Sequence, residues 1–259
     1  MRLILVAILV FAATAFTATF PECEPPYLAI VTERCSCDSD THLEAAFQSL
    51  HSAVSSNAVD LVSVRVNVVQ DDSEKRTKRV ERLIQGLLDW SGDYAFRVVV
   101  SSDWLETGIR TGAHGIHFKE IHRHKIAEAR RLSSSALLIG TSTHSVESAL
   151  EALRYDVDYL FCGTCFPTES HPERTVVEGP ALPAEVKAAL TTRKPRVLSI
   201  GGMDASNCGP QVHQGFFVAN SRSDGVATIR SVLQAPNPAE TARTMKQAML
   251  EHVQASSLR

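Results

Sequence analysis

Residues Ala136–Gly163, ALLIGTSTHSVESALEALRYDVDYLFCG, contain one complete strand–helix–strand unit. A short apolar run over Ala136–Gly140 is followed by a helical pattern over His144–Leu153 and by a second apolar run over Val157–Gly163. Apolar residues recur in the middle segment at the spacing of an amphipathic helix, whereas the flanking runs are continuously apolar. Because such strands are apolar on both faces, the unit indicates a parallel sheet that is covered by helices.

The same alternation continues on both sides of this unit. Eight apolar runs predict eight strands: Tyr27–Thr32, Val59–Val66, Phe96–Ser101, Gly115–Phe118, Ala136–Gly140, Val157–Gly163, Arg196–Ile200 and Gly225–Ile229. The clearest helical patterns cover His42–Val54, Glu74–Leu88, His144–Leu153 and Pro238–Val253. Eight strand–helix units in a chain of 259 residues predict an α/β protein, a single (β/α)8 TIM barrel over residues 27–254. An open, doubly wound sheet is the alternative.

The composition is that of a globular protein, with 44% hydrophobic and 21% charged residues, and this excludes wholesale disorder. The chain has 26 Lys and Arg against 29 Asp and Glu, for a net charge of −3. This balance gives no reason to expect nucleic-acid binding or polybasic attachment to a membrane. The sequence is compatible with a homo-oligomer but does not specify one.

The N-terminus is expected to be a targeting segment. Met1-Arg2 is a short basic start, Leu3–Phe20 is uncharged and mostly apolar, and Ala13-Thr14-Ala15 is a small-x-small cleavage site. We expect a signal peptide over residues 1–15 and a linker or short transit segment over residues 16–26, with an uncleaved membrane anchor as the alternative. The chain would then enter the secretory pathway with no stable membrane association after cleavage. Ala15-Phe16 resembles the cut site of algal plastid presequences, so the plastid, reached through the ER, is one destination, and a secreted or lumenal location is the other.

Six cysteines follow the apolar segment, at positions 23, 35, 37, 162, 165 and 208. Their number does not require a disulfide framework in a chain of this length. Zinc binding or redox chemistry by Cys162–Cys165 and Cys35–Cys37 is an alternative, but buried or unreactive thiols are the expectation, because the first and sixth strands are well separated in a barrel. The histidines at positions 114, 117, 122 and 124 are interpreted as surface and loop residues.

In a (β/α)8 barrel the loops that follow the strands meet at one mouth, where chemistry takes place. Gly201-Gly202 follow the seventh strand and Arg230-Ser231 follow the eighth, the two places where such barrels commonly bind phosphate. Glycine lets backbone N–H groups approach an anion closely, and arginine adds a charged hydrogen bond. His144 follows the fifth strand and could transfer protons near neutral pH, with helix capping or packing as the alternative role.

Seven segments between Tyr27 and Leu250, taken in order, resemble motifs of the thiamine phosphate synthase/TenI family. They are YLAIVTER at 27–34 (family YLVTDR), GAHGIH at 112–117 (GADGVH), IGTSTHS at 139–145 (IGVSVHS), DYLFCGTCFPT at 158–168 (DYVGFGPVFPT), SIGGM at 199–203 (AIGGI), DGVA at 224–227 (DGVAV) and PAETAR at 238–243 (DPAAAAR).

The resemblance implies a (β/α)8 barrel that binds thiazole phosphate, with the phosphate at Gly201, Gly202, Arg230 and Ser231. It allows two reactions. A synthase displaces diphosphate from hydroxymethylpyrimidine diphosphate and uses Mg²⁺ because charge develops on the leaving group. A TenI-type tautomerase moves a proton within a thiazole carboxylate phosphate, with His144 as the acid/base residue and without a cofactor.

Departures from the synthase motifs favour the TenI-type reaction. In the QFREK motif Arg65 is retained and the Gln and Lys are lost, and in the VND motif Asp103 is retained while Ser102 replaces Asn. Ile121 replaces a metal-binding Asp, so Asp103 and Glu120 are the metal ligands expected only of a synthase.

The strand-six motif PTxTK corresponds to Pro167–His171, so His171 replaces a diphosphate-binding Lys. The substrate-binding residues implied are Arg65, Ser102, Asp103, Ser142, Thr168 and Ser170. The prediction is a thiamine-biosynthesis enzyme with tautomerase-like chemistry. The alternatives are a Mg²⁺-dependent thiamine phosphate synthase and a non-catalytic barrel that binds a phosphate ligand.

Overall fold

The computed structural model describes residues 24–68, 73–133, 136–169, 176–191, 195–213 and 223–257. The predicted signal peptide at residues 1–15 and most of the predicted linker at 16–26 lie outside these ranges, and both stay predictions. Within the ranges given, none of the helices combines the length and the apolar character that a membrane crossing requires.

Eight parallel strands form one closed barrel in which each strand pairs with its neighbours in the chain and β8 pairs with β1. The strands are β1 (Tyr27–Val31), β2 (Leu61–Val64), β3 (Arg97–Ser101), β4 (Gly115–Phe118), β5 (Leu138–Thr143), β6 (Tyr159–Cys162), β7 (Arg196–Ile200) and β8 (Gly225–Thr228). The predicted (β/α)8 barrel is therefore confirmed, and the open sheet is excluded because the first and last strands are hydrogen-bonded to each other.

Helices lie between the strands and after the last one. They are α1 (Asp40–Val54), α2 (Ser73–Tyr94), α3 (Leu105–Arg110), α4 (Ile126–Leu132), α5 (Val146–Ala152), α6 (Leu182–Ala189), α7 (Cys208–His213), α8 (Arg230–Leu233) and α9 (Pro238–Ser257). Short 3₁₀-helices cover Ser102–Trp104, Glu120–Lys125 and Leu153–Tyr155. α9 runs three residues past the expected domain boundary at position 254.

The strands separate two hydrophobic layers. Alternate residues such as Tyr27, Ala29 and Val31 point into the barrel and form an inner cluster with Tyr159 and Phe161. The intervening residues, including Leu28 and Ile30, belong to the layer between the sheet and the helices. Both layers are buried, which explains why the strands read as continuous apolar runs in the sequence.

Four side chains at the amino end of the barrel repeat one hydrogen-bonding pattern. Each stands immediately before an even-numbered strand and accepts a hydrogen bond from the second residue of the preceding odd-numbered strand. The pairs are Asp60 with Leu28 N (2.7 Å), His114 with Val98 N (2.9 Å), Asp158 with Ile139 N (2.8 Å) and Asp224 with Val197 N (2.8 Å). Buried backbone donors need partners, so these bonds help to fix the register of the strands.

The stability of the protein is expected to fall as the pH falls from about 6.5 to about 4 through His114. Its Nδ1 accepts the Val98 N–H and so must be unprotonated, and burial together with nearby Arg97 lowers its pKa from 6.5 to about 4. In that interval the unfolded chain binds a proton that the folded chain does not, so stability is lost with acid. Urea unfolding between about pH 7.5 and about pH 4.5 measures this loss.

His114→Asn supplies the control, because the asparagine side chain does not titrate and its oxygen can accept the same N–H. The variant should lose less stability than the wild type over this pH range. An equal loss in both proteins would rule out His114 as a source of the pH dependence.

Candidate active site

A cavity of about 980 Å³ opens at the carboxyl end of the barrel, and residues that follow all eight strands line it. Most of the site residues expected from the sequence are brought together here. They are Arg65, Asp103, Glu120, Ser142, His144, Thr168, Gly201, Gly202, Arg230 and Ser231. Ser170 lies outside the described residues.

Ser102 is the expected site residue that does not line this cavity. It is buried, and its Oγ lies 3.0 Å from His122 Nδ1 and accepts a hydrogen bond from the Lys119 N–H at 3.3 Å. Ser101, one position earlier, lines the cavity instead. Ser102 therefore supports the loop after β4 and does not reach a ligand in the cavity.

The loop after β7 contains a tight glycine turn at Gly201 and Gly202, with φ values of +97° and +65°. A Cβ on Gly201 would lie 2.5 Å from Thr164 Cγ2, and one on Gly202 would lie 2.8 Å from the Pro167 carbonyl oxygen. Both the backbone conformation and the lack of space require glycine here. The turn therefore presents bare backbone to the cavity, which is the property expected of an anion-binding loop.

The turns after β7 and β8 are joined, as expected of a shared phosphate site. The hydroxyl groups of Thr228 and Ser231 both donate to the carbonyl oxygen of Met203, the residue after the glycine turn. Arg230 Nη1 lies 2.6 Å from Glu169 Oε2, and the Glu169 side chain is 89% exposed. Since an exposed ion pair contributes little, a phosphate group could take the place of Glu169 on Arg230.

A second cationic group, Arg65, follows β2. Burial and the nearby charge of Arg34 lower its pKa to about 10, so it stays positively charged at neutral pH. Its Nε is buried and has no hydrogen-bond partner among the described residues. An unpartnered buried donor is unfavourable, so an anionic ligand oxygen would be stabilised beside it.

The two carboxylates expected to bind a metal in a synthase are already engaged. Asp103 Oδ2 lies 2.6 Å from Lys119 Nζ, and Glu120 Oε1 accepts a hydrogen bond from Ser148 Oγ. Within the described ranges, no group of three or more His, Cys, Asp or Glu side chains could hold a metal ion. Magnesium is usually held by one or two carboxylates together with substrate phosphates and water, so Asp103 and Glu120 could bind it only after leaving their present partners.

His144 lies in the loop between β5 and α5. The sequence pattern placed it as the first residue of the helix, and that boundary is wrong, because α5 begins at Val146. Ser145 is the N-cap, and its side chain accepts the Ser148 N–H at 3.1 Å. His144 therefore does not cap the helix, and its side chain, 38% exposed, lines the cavity.

Glu178 stands beside His144 and was missed by the sequence reasoning. Its Oε1 lies 3.4 Å from His144 Nδ1, which is buried and makes no hydrogen bond with the residues that the structure describes. No family motif marks position 178, and the residue comes from the loop after β6, far from His144 in the chain. Only the path of that loop brings the carboxylate to the imidazole.

Polar and aromatic side chains inside the barrel form the bottom of the cavity. His117 Nε2 is 3.0 Å from Ser142 Oγ, and its Nδ1 is 3.1 Å from Tyr159 Oη. The rings of His117 and Phe161 are 4.5 Å apart. Burial, together with the charge of Arg65, lowers the pKa of His117 to about 3, so it is neutral and orients Ser142. The interpretation of His117 as a surface or loop residue is wrong.

The five cysteines that the structure describes are free thiols. Cys162 and Cys165 are buried, and burial raises the pKa of both, that of Cys165 to about 12. A buried thiol with a raised pKa is a poor nucleophile and a poor metal ligand. This environment supports the interpretation of these residues as unreactive.

A family model described as thiamine monophosphate synthase, TMP-TENI, matches residues 28–232. The chain belongs to this family. A thiamine-phosphate synthase of Chlorobium luteolum is 32% identical over 168 residues, which cover 65% of this chain and 74% of that protein. Another from Geobacillus kaustophilus is 27% identical over 180 residues, covering 69% and 72%. The resemblance seen in the sequence motifs is confirmed.

Solved structures agree with the fold. A thiamine phosphate pyrophosphorylase from Pyrococcus furiosus superposes with a TM-score of 0.67 at 21% identity, over 87% of this chain and 96% of that chain. A 3-hexulose-6-phosphate synthase from Salmonella typhimurium gives a TM-score of 0.58 at 14% identity, over 88% and 100%. At these identities the likeness concerns the barrel alone.

Proposed function

We propose that this protein acts on a thiazole phosphate in thiamine biosynthesis and moves a proton within a thiazole carboxylate phosphate, with His144 as the acid/base residue. The observation that carries the proposal is the position of His144 in the same cavity as the glycine turn, while Asp103 and Glu120 are engaged by other groups. A proton transfer needs a titratable group and no metal.

In this proposal the phosphate binds at Gly201 and Gly202 beside Arg230, and the ring lies deeper, towards Ser142. His144 removes a proton from one position of the ring system and returns it to another. Substrate and product then differ only in the place of one proton and one double bond, so no oxidant, reductant or second substrate is consumed. Histidine suits both halves of the transfer because it gives and takes protons near neutral pH.

Synthase activity is the second candidate. The matched relatives are named thiamine-phosphate synthases, and the guanidinium groups of Arg34 and Arg65 line the cavity, where an anionic leaving group would be stabilised. The loss of the motif lysines and the engaged carboxylates make it the weaker of the two.

Two turnover assays separate the candidates. Purified protein is incubated with thiazole carboxylate phosphate, and the double-bond shift is followed by NMR. In parallel it is mixed with thiazole phosphate and hydroxymethylpyrimidine diphosphate, with and without Mg²⁺, and diphosphate release is measured. We expect tautomerisation without Mg²⁺ and no diphosphate release.

Diphosphate release with no tautomerisation would replace the proposal by the synthase. Thermal stabilisation by thiazole phosphate without turnover in either assay would show a non-catalytic ligand-binding barrel.

A further inference from the structure

We infer that Glu178 is a positioning residue that fixes the tautomer of His144, so that Nδ1 carries the proton and Nε2 carries the lone pair that accepts the substrate proton. This inference rests on the proposed function, because it deepens the role of His144.

The first support is the contact itself. Glu178 Oε1 lies 3.4 Å from His144 Nδ1, slightly beyond the 2.7–3.2 Å range of an N–H···O hydrogen bond. Nδ1 is shielded from solvent and makes no hydrogen bond among the described residues, so water does not compete for it. Hydrogen bonds of catalytic groups are often long in ligand-free enzymes and shorten when the substrate binds.

The second support is the way in which Glu178 is held. Its other carboxylate oxygen, Oε2, accepts a hydrogen bond from the Thr164 N–H. The N–H of the next residue, Gly179, donates back to the Thr164 carbonyl oxygen at 3.1 Å. Thr164 follows β6 and is buried. One oxygen of the glutamate is therefore tied to the barrel, and the other, Oε1, is the one that lies beside the imidazole.

In this inference Oε2 of Glu178 anchors the side chain, and Oε1 acts on His144. A carboxylate beside Nδ1 favours the tautomer with a proton on Nδ1 and leaves the lone pair on Nε2. The same negative charge stabilises the imidazolium that forms when His144 accepts a proton. A buried carboxylate that holds a catalytic histidine in this way is known from serine proteases, where its role is orientation and charge stabilisation.

Glu178→Gln makes a sharp test, since the amide has one oxygen and one NH₂ group. The Thr164 N–H requires the oxygen, so the NH₂ group should face Nδ1 and donate to it. This would reverse the tautomer of His144 and place the proton on Nε2. Glu178→Leu removes both interactions and should give a mixture of tautomers.

The measurement combines NMR with kinetics on the full chain. The ¹⁵N shifts of the His144 ring report the tautomer without any substrate. We expect the Nδ1–H form in the wild type, the Nε2–H form in Glu178→Gln, and a kcat for tautomerisation lowered roughly ten- to hundredfold with KM nearly unchanged. The matched control is Glu185→Gln, the same change at an exposed position of α6, which should alter neither.

The tautomer and the activity test the inference and the proposed function separately. If the His144 tautomer is the same in the wild type, Glu178→Gln and Glu178→Leu, the inference is overturned. If the tautomer changes as expected but the wild type has no tautomerase activity, the proposed function fails while the positioning role stands. Far-UV circular dichroism identifies a variant that does not fold. If Glu178→Leu does not fold, the tautomer of His144 in Glu178→Gln, which keeps the bond to Thr164, tests the inference alone.

Discussion

Replacing His144 with glutamine is expected to lower kcat for tautomerisation by roughly 10²- to 10⁴-fold, the usual share of general acid/base catalysis. Glutamine fills a similar space and keeps a hydrogen-bonding group, but it does not take up a proton near neutral pH. Affinity for the thiazole phosphate should change less than about threefold, because the proposed phosphate contacts lie at Gly201, Gly202 and Arg230. Steady-state kinetics and calorimetry measure the two quantities separately.

His124→Gln is the matched control, since this histidine is exposed and does not line the cavity. It should retain full activity. A His144→Gln variant that binds and turns over its substrate as the wild type does would remove His144 from the mechanism and assign the proton transfer to another group.

Gly201→Ala is expected to weaken binding of thiazole phosphate by roughly ten- to hundredfold, equivalent to about 1–3 kcal/mol. At φ +97° alanine is strained, and its Cβ would meet Thr164 Cγ2 at 2.5 Å and Thr164 Cα at 2.9 Å. The turn must move to relieve both effects, which displaces the backbone N–H groups from the proposed phosphate position. Calorimetry with thiazole phosphate measures the loss.

Two comparisons make this result specific. Binding of the unphosphorylated thiazole alcohol should change little, because it lacks the group that the turn is proposed to hold. Gly92→Ala, an exposed site in α2 with open space around its Cβ, should leave binding unchanged and stability equal or up to about 1 kcal/mol higher. Equal losses for the two thiazoles in Gly201→Ala would argue against a phosphate site at the turn.

The barrel was predictable because its strands are apolar on both faces and therefore appear in the sequence as continuous apolar runs. The boundaries were less predictable where strands turn polar near the mouth. β5 was expected to end at Gly140, but it continues through Thr143, which pairs with Cys162 of β6. Polar residues within a strand look like a loop in the sequence, whereas in the barrel Ser142 lines the cavity and Thr141 and Thr143 are buried.

The site was predictable to the extent that it depends on strand ends. His144 and Gly201 follow strands directly, so the closed barrel brings them to one mouth. Ser102 does not line the cavity because it lies beyond the end of β3, at the start of a 3₁₀-helix, where its side chain is buried against the loop after β4. Glu178 could not be found from sequence, since its position depends on the course of the loop after β6.

The four hydrogen-bond acceptors before the even-numbered strands, Asp60, His114, Asp158 and Asp224, affect where the protein tolerates substitutions. They lie at the end of the barrel opposite the cavity. The side chains that fix the register of the strands are therefore distinct from those that line the cavity. Substitutions of polar side chains around the opening can accumulate without disturbing these four hydrogen bonds. A library randomised at the rim with Gly201 and Gly202 kept should therefore yield mostly folded barrels, and the scaffold is suited to the selection of new activities.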